Sequence, residues 1–181
     1  MNNPFIIGEK IYLRSPEPGD ENIIALSENH PDPRETLFYA LPTSPEEQLA
    51  RIKSHMEDLK TIFLIICDKE NNKPIGCTAF FRIDWVGRMA VYYIAIAEKE
   101  NWSKGFGKEV TKLMVDYAFD TLNLNRIQLH VSVENERAVN AYKRTGFQIE
   151  GTLRQAMFHQ GRYVDFYVMG ILKEDWLKNT V

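Results

Sequence analysis

The segment from Glu98 to Lys108 has the residue types and spacing of an anion-binding loop. Gly105 and Gly107 are one residue apart, between an apolar run and a helix with strong apolar periodicity. Glycines at such a turn let the backbone come close to a ligand. The first N–H groups of a helix have no partner within it and attract anions. With Lys104 and Lys108 beside them, these groups predict a pyrophosphate site.

The glycine pair has other possible interpretations, namely a tight turn and two kinds of nucleotide site. Two glycines can simply permit a tight turn, but their position at a helix start, after a strand and among lysines, favours binding. The segment lacks the GxxxxGK[ST] pattern of a P-loop and the third glycine of a dinucleotide-binding fingerprint. Neither nucleotide site therefore fits the sequence.

The stretch 135–147 carries a second group of candidates. Tyr142 lies in a predicted helix over 136–144, and a phenol with a pKa near 10 remains protonated at neutral pH and can donate its proton. Its structural alternative is a core tyrosine on the buried face of that helix. Asn135 precedes the helix, where an N-cap role is compatible with a contact to a ligand.

The two segments together resemble the GNAT-type N-acetyltransferases. The run Lys104-Gly105-Phe106-Gly107 is similar to that family's Q/R-x-x-G-x-G/A pyrophosphate loop. The run 135–147 is similar to its N-x-x-A-x-x-x-Y-x-K-x-G-F helix. The segments 150–154 and 161–165 resemble the subgroup of ribosomal-protein N-terminal and spermidine acetyltransferases. The loop departs from the pattern at Trp102, where the family usually has Gln or Arg.

The resemblance implies that acetyl-coenzyme A is the co-substrate and that no metal takes part. The edge of the strand before the loop would pair with the pantetheine arm, the loop amides would bind the diphosphate, and the Tyr142 hydroxyl would protonate the departing thiolate. The implied cofactor-binding residues are Ile94, Ala95, Ile96, Ala97, Trp102, Ser103, Lys104, Gly105, Phe106, Gly107, Lys108 and Asn135.

The acceptor is expected to be a primary amine, either a protein N-terminal α-amine or a small amine such as a polyamine. It must lose a proton before attack. Candidates for the base are Asp84, Tyr92, His130 and Glu150, and none is favoured; Asp165 is a candidate contact for a cationic acceptor. The acidic residues Glu17, Asp20, Glu21, Glu46 and Glu47 either surround the acceptor mouth or form a solvated surface. The alternative function is a non-catalytic acyl-CoA sensor or interaction module on the same fold.

Periodicity predicts the elements that position these residues. The expected strands are 6–14, 61–68, 74–84, 88–97, 126–133, 147–158 and 162–172. The expected helices are 17–29, 45–59, 105–122, 136–144 and 174–178. We expect one α/β domain over residues 1–181, with the GNAT-like mixed, mostly antiparallel central sheet of about seven strands and helices on both faces.

Composition and charge limit the kinds of partner and compartment expected for this chain. The formal net charge of −3 argues against a broad electrostatic grip on nucleic acid or anionic lipid. No apolar run approaches the roughly 20 residues of a membrane span, and no secretory signal is visible. Cys67 and Cys77 are expected as reduced thiols on adjacent strands of a cytoplasmic protein. Similar proteins include homodimers, although the residue patterns leave the oligomeric state open.

Overall fold

A computed structural model describes the backbone of residues 1–180 and the side chains of residues 1–178. The strands are β1 (Ile6–Ile7), β2 (Ile11–Arg14), β3 (Ile62–Asp68), β4 (Pro74–Asp84), β5 (Met89–Ile96), β6 (Arg126–Ser132), β7 (Gln148–His159) and β8 (Arg162–Leu172). The helices are α1 (Glu21–Asn29), α2 (Pro31–Leu37), α3 (Pro45–Glu57), α4 (Phe106–Asp116), α5 (Glu136–Lys143) and α6 (Lys173–Thr180).

The strands form one eight-stranded sheet in the order β1-β2-β3-β4-β5-β6-β8-β7. Neighbouring strands are antiparallel except β5 and β6, which run parallel. The predicted mixed, mostly antiparallel sheet is confirmed. The eighth strand arises because the predicted strand 6–14 folds back on itself: β1 and β2 pair antiparallel across a turn at residues 8–10, where the Gly8 N–H donates to the Ile11 carbonyl at 2.9 Å.

Helices cover both faces of the sheet, as predicted. On one face the core includes Ile24 of α1, Ile52 of α3 and Ile65 of β3. On the other face, Val110 and Met114 of α4 pack with Ile66 of β3. Adjacent strand residues such as 65 and 66 face opposite sides because side chains alternate along a strand.

The helix starts follow local sequence signals. At α3, the Glu47 N–H donates to Ser44 Oγ at 3.2 Å, and the Ser44 N–H donates to Glu47 Oε2 at 2.8 Å. This reciprocal capping box satisfies two backbone donors. At α4, the repeat of buried Phe106, Val110 and Met114 on one face anchors the helix against the sheet.

Two predicted helices differ in extent from the sequence expectation. The segment 17–29 becomes helical only from Glu21, because Asp20 is engaged by Arg14 of β2. The helix from Gly105 ends as α4 at Asp116 and continues as a π-helical segment over Tyr117–Thr121. Helix α2 was not among the predicted helices.

Both cysteines are buried free thiols on the adjacent strands β3 and β4. Burial raises the pKa of Cys67 and raises that of Cys77 to about 12. Both groups therefore stay protonated at neutral pH, and the structure agrees with the expected reduced pair. Separately, none of the helices in residues 1–180 is long and apolar enough to cross a membrane.

Candidate functional site

The parallel strands β5 and β6 separate partway along their length and leave a cleft. Their paired residues are Met89 with Arg126, Ala90 with Ile127 and Val91 with Gln128. Strand β5 then continues to Ile96 and β6 to Ser132 without further pairing between them. The cleft thus opens toward the start of α4, where the glycine-containing loop lies.

The edge of β5 that borders this cleft presents alternate backbone groups. The Ala97 N–H donates to the Ile75 carbonyl at 2.9 Å, beside β4, and the Arg88 carbonyl accepts from Asn125 and Arg126 on the β6 side. Backbone groups alternate in direction along a strand. The even-numbered residues Ile94 and Ile96 therefore direct their N–H and C=O groups toward the cleft, whereas those of Ala95 and Ala97 point to β4.

The loop from Trp102 to Lys108, called the phosphate loop below, leads into α4. Gly105 is the N-cap residue of α4 and has φ 88°, a left-handed conformation that favours glycine. No side chain caps the helix. The first N–H groups of α4 therefore remain available to an anion at the positive end of the helix.

The side chains of the phosphate loop leave its backbone accessible. Ser103, Lys104 and Gly105 are exposed, whereas Phe106 is buried in the core, so Phe106 offers only its backbone to a ligand. A Cβ added at Gly107 would meet only Ile96 Cδ1, at 3.7 Å. Space for a ligand thus remains around the loop glycines.

Two lysines contribute positive charge to the phosphate loop. Lys104 Nζ donates to Asn101 Oδ1 at 3.1 Å and lies 5.8 Å from the centre of the Phe106 ring. Lys108 is exposed on the first turn of α4. These charges add to the helix dipole, so the electrostatics of the loop suit a diphosphate.

Trp102 binds the loop to the strand rather than pointing into solvent. Its indole N–H donates to the Ile96 carbonyl at 3.1 Å. This bond occupies the Ile96 carbonyl, which is one of the backbone acceptors on the cleft edge of β5. The Ile96 N–H takes no part in it. The guanidinium of Arg137 lies over the indole ring, with Cζ 4.2 Å from its centre; we did not select Arg137 from the sequence.

Tyr142 lies where β5 and β6 begin to separate. Its ring centre is 6.4 Å from that of Tyr92, the first β5 residue beyond the β6 pairing, and 5.8 Å from that of Phe147. Burial raises the pKa of Tyr142 to about 12. The phenol thus holds its proton at neutral pH next to the cleft, and both the core and the proton-donor interpretations agree with this position.

Asn135 caps α5, as one of its two predicted roles required. Its Oδ1 accepts from the Ala138 N–H at 3.1 Å, and its backbone N–H donates to the Ser132 carbonyl at 3.0 Å. The cap therefore ties the start of α5 to the end of β6. The amide nitrogen of the side chain is not needed for capping and can donate to a ligand.

Each candidate base has a structural partner. Asp84 accepts from the backbone of Val86 and Gly87 in a turn, and the buried Tyr92 hydroxyl lies 3.1 Å from Thr111 Oγ1. Glu150 pairs with Arg126, which lowers the pKa of the carboxyl. The exposed His130 bonds Gln128, and Asp165 accepts from the Gln155 N–H at 2.7 Å. None of these contacts distinguishes one candidate as the base.

The early acidic residues mostly have local roles. Asp20 is buried and accepts from Arg14 at 2.6 Å. Glu21 accepts from the Gly19 N–H, and Glu47 belongs to the α3 capping box. These contacts favour the structural interpretation of the acidic group. Among residues 1–178, no cluster of three or more His, Cys, Asp or Glu side chains is arranged to hold a metal ion.

An aromatic group lies at the end of the cleft on the face of the sheet that carries α2. Phe166 pairs with Ser132, the last residue of β6, and its ring centre is 5.2 Å from that of Phe38. The centre of the His159 ring lies 4.8 Å from that of the Phe38 ring. No periodic pattern in the sequence marks this group, because its members come from three parts of the chain.

Comparison with known proteins identifies the relatives of this architecture. The family profile described as "Acetyltransferase (GNAT) domain" matches residues 10–148. The spermidine N(1)-acetyltransferase of Vibrio cholerae is 32% identical over 174 residues, which cover 96% of this chain and 99% of that protein. The N-acetyltransferase p20 of Bacillus licheniformis is 31% identical over 175 residues, covering 93% of this chain and 96% of that protein.

A solved structure shows the same architecture. The crystal structure of the Vibrio cholerae spermidine N-acetyltransferase, in complex with CoA and spermine, matches with a TM-score of 0.86. The match covers 94% of this chain and 99% of that one, at 32% identity. The fold of this chain therefore matches that of a spermidine N-acetyltransferase whose structure was solved in complex with CoA.

Proposed function

The chain belongs to the GNAT acetyltransferase family, and from this premise we propose that it acetylates a primary amine of an aliphatic polyamine. Its reaction class is acetyl-coenzyme A-dependent N-acetyl transfer. The single observation that carries the site assignment is the meeting of three features at one cleft: the uncapped start of α4, the open edge of β5 and the phenol of Tyr142.

The phosphate loop is the proposed binding site of the coenzyme A diphosphate. The free N–H groups at the start of α4 would donate to its oxygens, with Lys104 and Lys108 adding charge. Gly105 provides the left-handed turn that directs these groups outward. Trp102 and Ser103 complete the loop before that turn.

The cleft edge of β5 is the proposed binding site of the pantetheine arm. Alternation restricts the backbone contacts to Ile94 and the N–H of Ile96, since the Ile96 carbonyl accepts from Trp102. Ala95 and Ala97 can contribute only side-chain contacts, because their backbone groups point to β4. An arm bound this way would extend toward Tyr142, and Asn135 would donate to it from the start of α5.

Tyr142 is the proposed general acid. The deprotonated amine attacks the thioester carbonyl carbon, a C–N bond forms, and the C–S bond breaks. Tyr142 donates its proton to the sulfur as the thiolate leaves. The nitrogen, positively charged after the attack, loses a proton to solvent, and solvent reprotonates the phenolate. Because burial raises the pKa of Tyr142 to about 12, its proton is present throughout the neutral range.

The aromatic group of Phe38, His159 and Phe166 is the proposed entrance for the acceptor. It lies on the α2 face of the sheet, opposite the face on which α4 and α5 pack. Aromatic faces attract ammonium groups and pack against methylene chains, which are the two components of a polyamine. The relatives named as spermidine acetyltransferases support the same acceptor class.

The remaining proposals concern the whole chain. We place residues 1–181 in one catalytic domain, and the two free buried thiols favour the reducing cytoplasm. Association into a homodimer stays a prediction that light scattering can check.

An amine panel tests the proposed function. The purified chain is incubated with acetyl-coenzyme A and, in turn, spermidine, spermine, an amino sugar, an amino acid and short peptides, and the released thiol is measured. We expect the fastest release with spermidine or spermine. Faster release with peptides would replace the polyamine by a protein α-amine. Binding of acetyl-coenzyme A without release for any amine would favour the non-catalytic sensor.

A further inference from the structure

Arg137 and Trp102 form a contact that joins α5 to the phosphate loop. The guanidinium carbon of Arg137, in the first turn of α5, lies 4.2 Å from the centre of the Trp102 ring. The indole is itself fixed by its N–H bond to the Ile96 carbonyl. The charge of Arg137 is therefore held at a defined place beside the loop.

The position over the indole ring leaves the N–H donors of Arg137 free. A guanidinium that lies over an aromatic face uses its π face for the contact, while its five N–H donors lie in the plane and point outward. Planar N–H pairs of this kind match the oxygens of a phosphate. The contact with Trp102 thus orients Arg137 without occupying its hydrogen bonds.

Arg137 also lacks an anionic partner. Four other arginines, namely Arg14, Arg51, Arg126 and Arg162, each pair with a carboxylate. Among residues 1–178, no carboxylate lies within ion-pair distance of Arg137. Its side chain is exposed, so its charge is accessible to an anionic ligand at this place.

The depression beside Lys104 and Phe106 of the phosphate loop has no excess of positive charge. This depression, of about 680 Å³, lies between the loop and the turns that connect β1 to β2 and β3 to β4. Its lining has three lysines, Lys10, Lys69 and Lys104, but also three acids, Glu9, Asp68 and Glu70. Because these formal charges cancel, the charges that can add to the helix dipole at the loop are those of Lys108 and Arg137, which have no carboxylate partner among residues 1–178.

We propose that Arg137 binds a phosphate group of coenzyme A and that Trp102 positions its guanidinium for this contact. Arg137 of α5 would then supply a positive charge to the loop, and the Trp102 ring would hold its guanidinium in place. This inference rests on coenzyme A binding alone. It does not depend on which amine accepts the acetyl group.

Calorimetric titration with coenzyme A, in the absence of any amine, tests the proposal. Arg137→Gln is compared with Arg144→Gln, which removes the same charge from an exposed position at the other end of α5. A charge-assisted hydrogen bond corresponds to a loss of about ten-fold or more in affinity. We expect that loss for Arg137→Gln, a change within about two-fold for Arg144→Gln, and a turnover number at saturating acetyl-coenzyme A that differs little from the parent.

Substitutions at position 102 test the positioning role. Trp102→Leu removes the stacked ring and should weaken coenzyme A binding in the parent, but much less in the Arg137→Gln background, because the two residues act together. Trp102→Phe keeps a ring and should retain more of the affinity than Trp102→Leu. Equal effects of Trp102→Leu in both backgrounds would remove the positioning role.

Dephospho-coenzyme A identifies the phosphate involved. An equal loss for coenzyme A and dephospho-coenzyme A on Arg137→Gln assigns the contact to the diphosphate, whereas a loss confined to coenzyme A assigns it to the 3′-phosphate. Unchanged affinity for both ligands overturns the proposal. If Arg137→Gln lowers the thermal midpoint strongly, Arg137→Lys serves instead: it keeps the charge but not the planar donors, and parent affinity in that variant would contradict a planar phosphate contact.

Discussion

At the scale of single residues, Tyr142 decides whether the cleft is catalytic or only binds. Tyr142→Phe removes the hydroxyl and keeps the ring that packs with Tyr92 and Phe147. We expect turnover to fall about 100-fold, the magnitude typical of a lost general acid, with little change in coenzyme A affinity. Steady-state kinetics and titration calorimetry measure the two effects. Tyr163→Phe, on an exposed tyrosine, is the control and should match the parent.

The pKa of Tyr142 gives a second prediction for the same residue. A phenol whose pKa is raised to about 12 keeps its proton while pH rises through the neutral and mildly alkaline range. The rate should therefore increase with pH as the amine loses its proton, and it should not fall again below about pH 10. A decline centred near pH 8 in the pH–rate profile would mean that another group supplies the proton.

The two loop glycines should respond differently to substitution by alanine, because only Gly105 has a left-handed backbone conformation. Gly105→Ala places a Cβ at φ 88°, which costs about 1–2 kcal/mol of folding stability and should also weaken coenzyme A binding. Gly107→Ala meets only the Ile96 side chain at ordinary contact distance and should leave stability unchanged or slightly raised. Chemical denaturation compares the two variants, and equal destabilisation would mean that the turn at Gly105 is not the determining feature.

At the scale of elements, the strongest sequence signals are local ones. The start of α3 was predicted from Ser44-Pro45-Glu46-Glu47, and the structure shows the reciprocal hydrogen bonds of Ser44 with Glu47. Ser44→Ala should lower the free energy of unfolding by about 1 kcal/mol because one helix N–H loses its acceptor. Ser54→Ala, at an exposed position in the last turn of α3, should not destabilise the protein. Denaturation midpoints of the two variants check this contrast.

The elements that sequence reasoning missed have competing signals. Helix α2 begins with Pro31, and its N-cap His30 accepts from the Asp32 N–H through Nδ1 at 3.3 Å, a capping contact that the two prolines obscured. The hairpin of β3 and β4 was predicted because two segments rich in Ile, Phe and Cys flank a turn that contains Asn71 and Asn72. Agreement between local signals, more than the strength of any one, determined which elements were predictable.

At the scale of the whole molecule, the sequence could not supply the order of the strands. Periodicity predicted β7 and β8, but not that β8 lies between β6 and β7. The separation of β5 from β6 after Val91 likewise depends on long-range packing, so the cleft was expected from the family resemblance alone. The contact of Arg137 with Trp102 was not predicted for the same reason, since the two residues belong to different elements.

The central claim is that the amides at the start of α4 hold the diphosphate of coenzyme A and direct its sulfur toward Tyr142. A crystal structure of the chain with bound coenzyme A tests it most directly. We predict diphosphate oxygens within about 3 Å of the backbone nitrogens near Gly105, the pantetheine arm along the β5 edge, and the sulfur within hydrogen-bond reach of the Tyr142 hydroxyl. Coenzyme A bound outside the β5–β6 cleft, or a phenol directed away from the sulfur, would contradict the account.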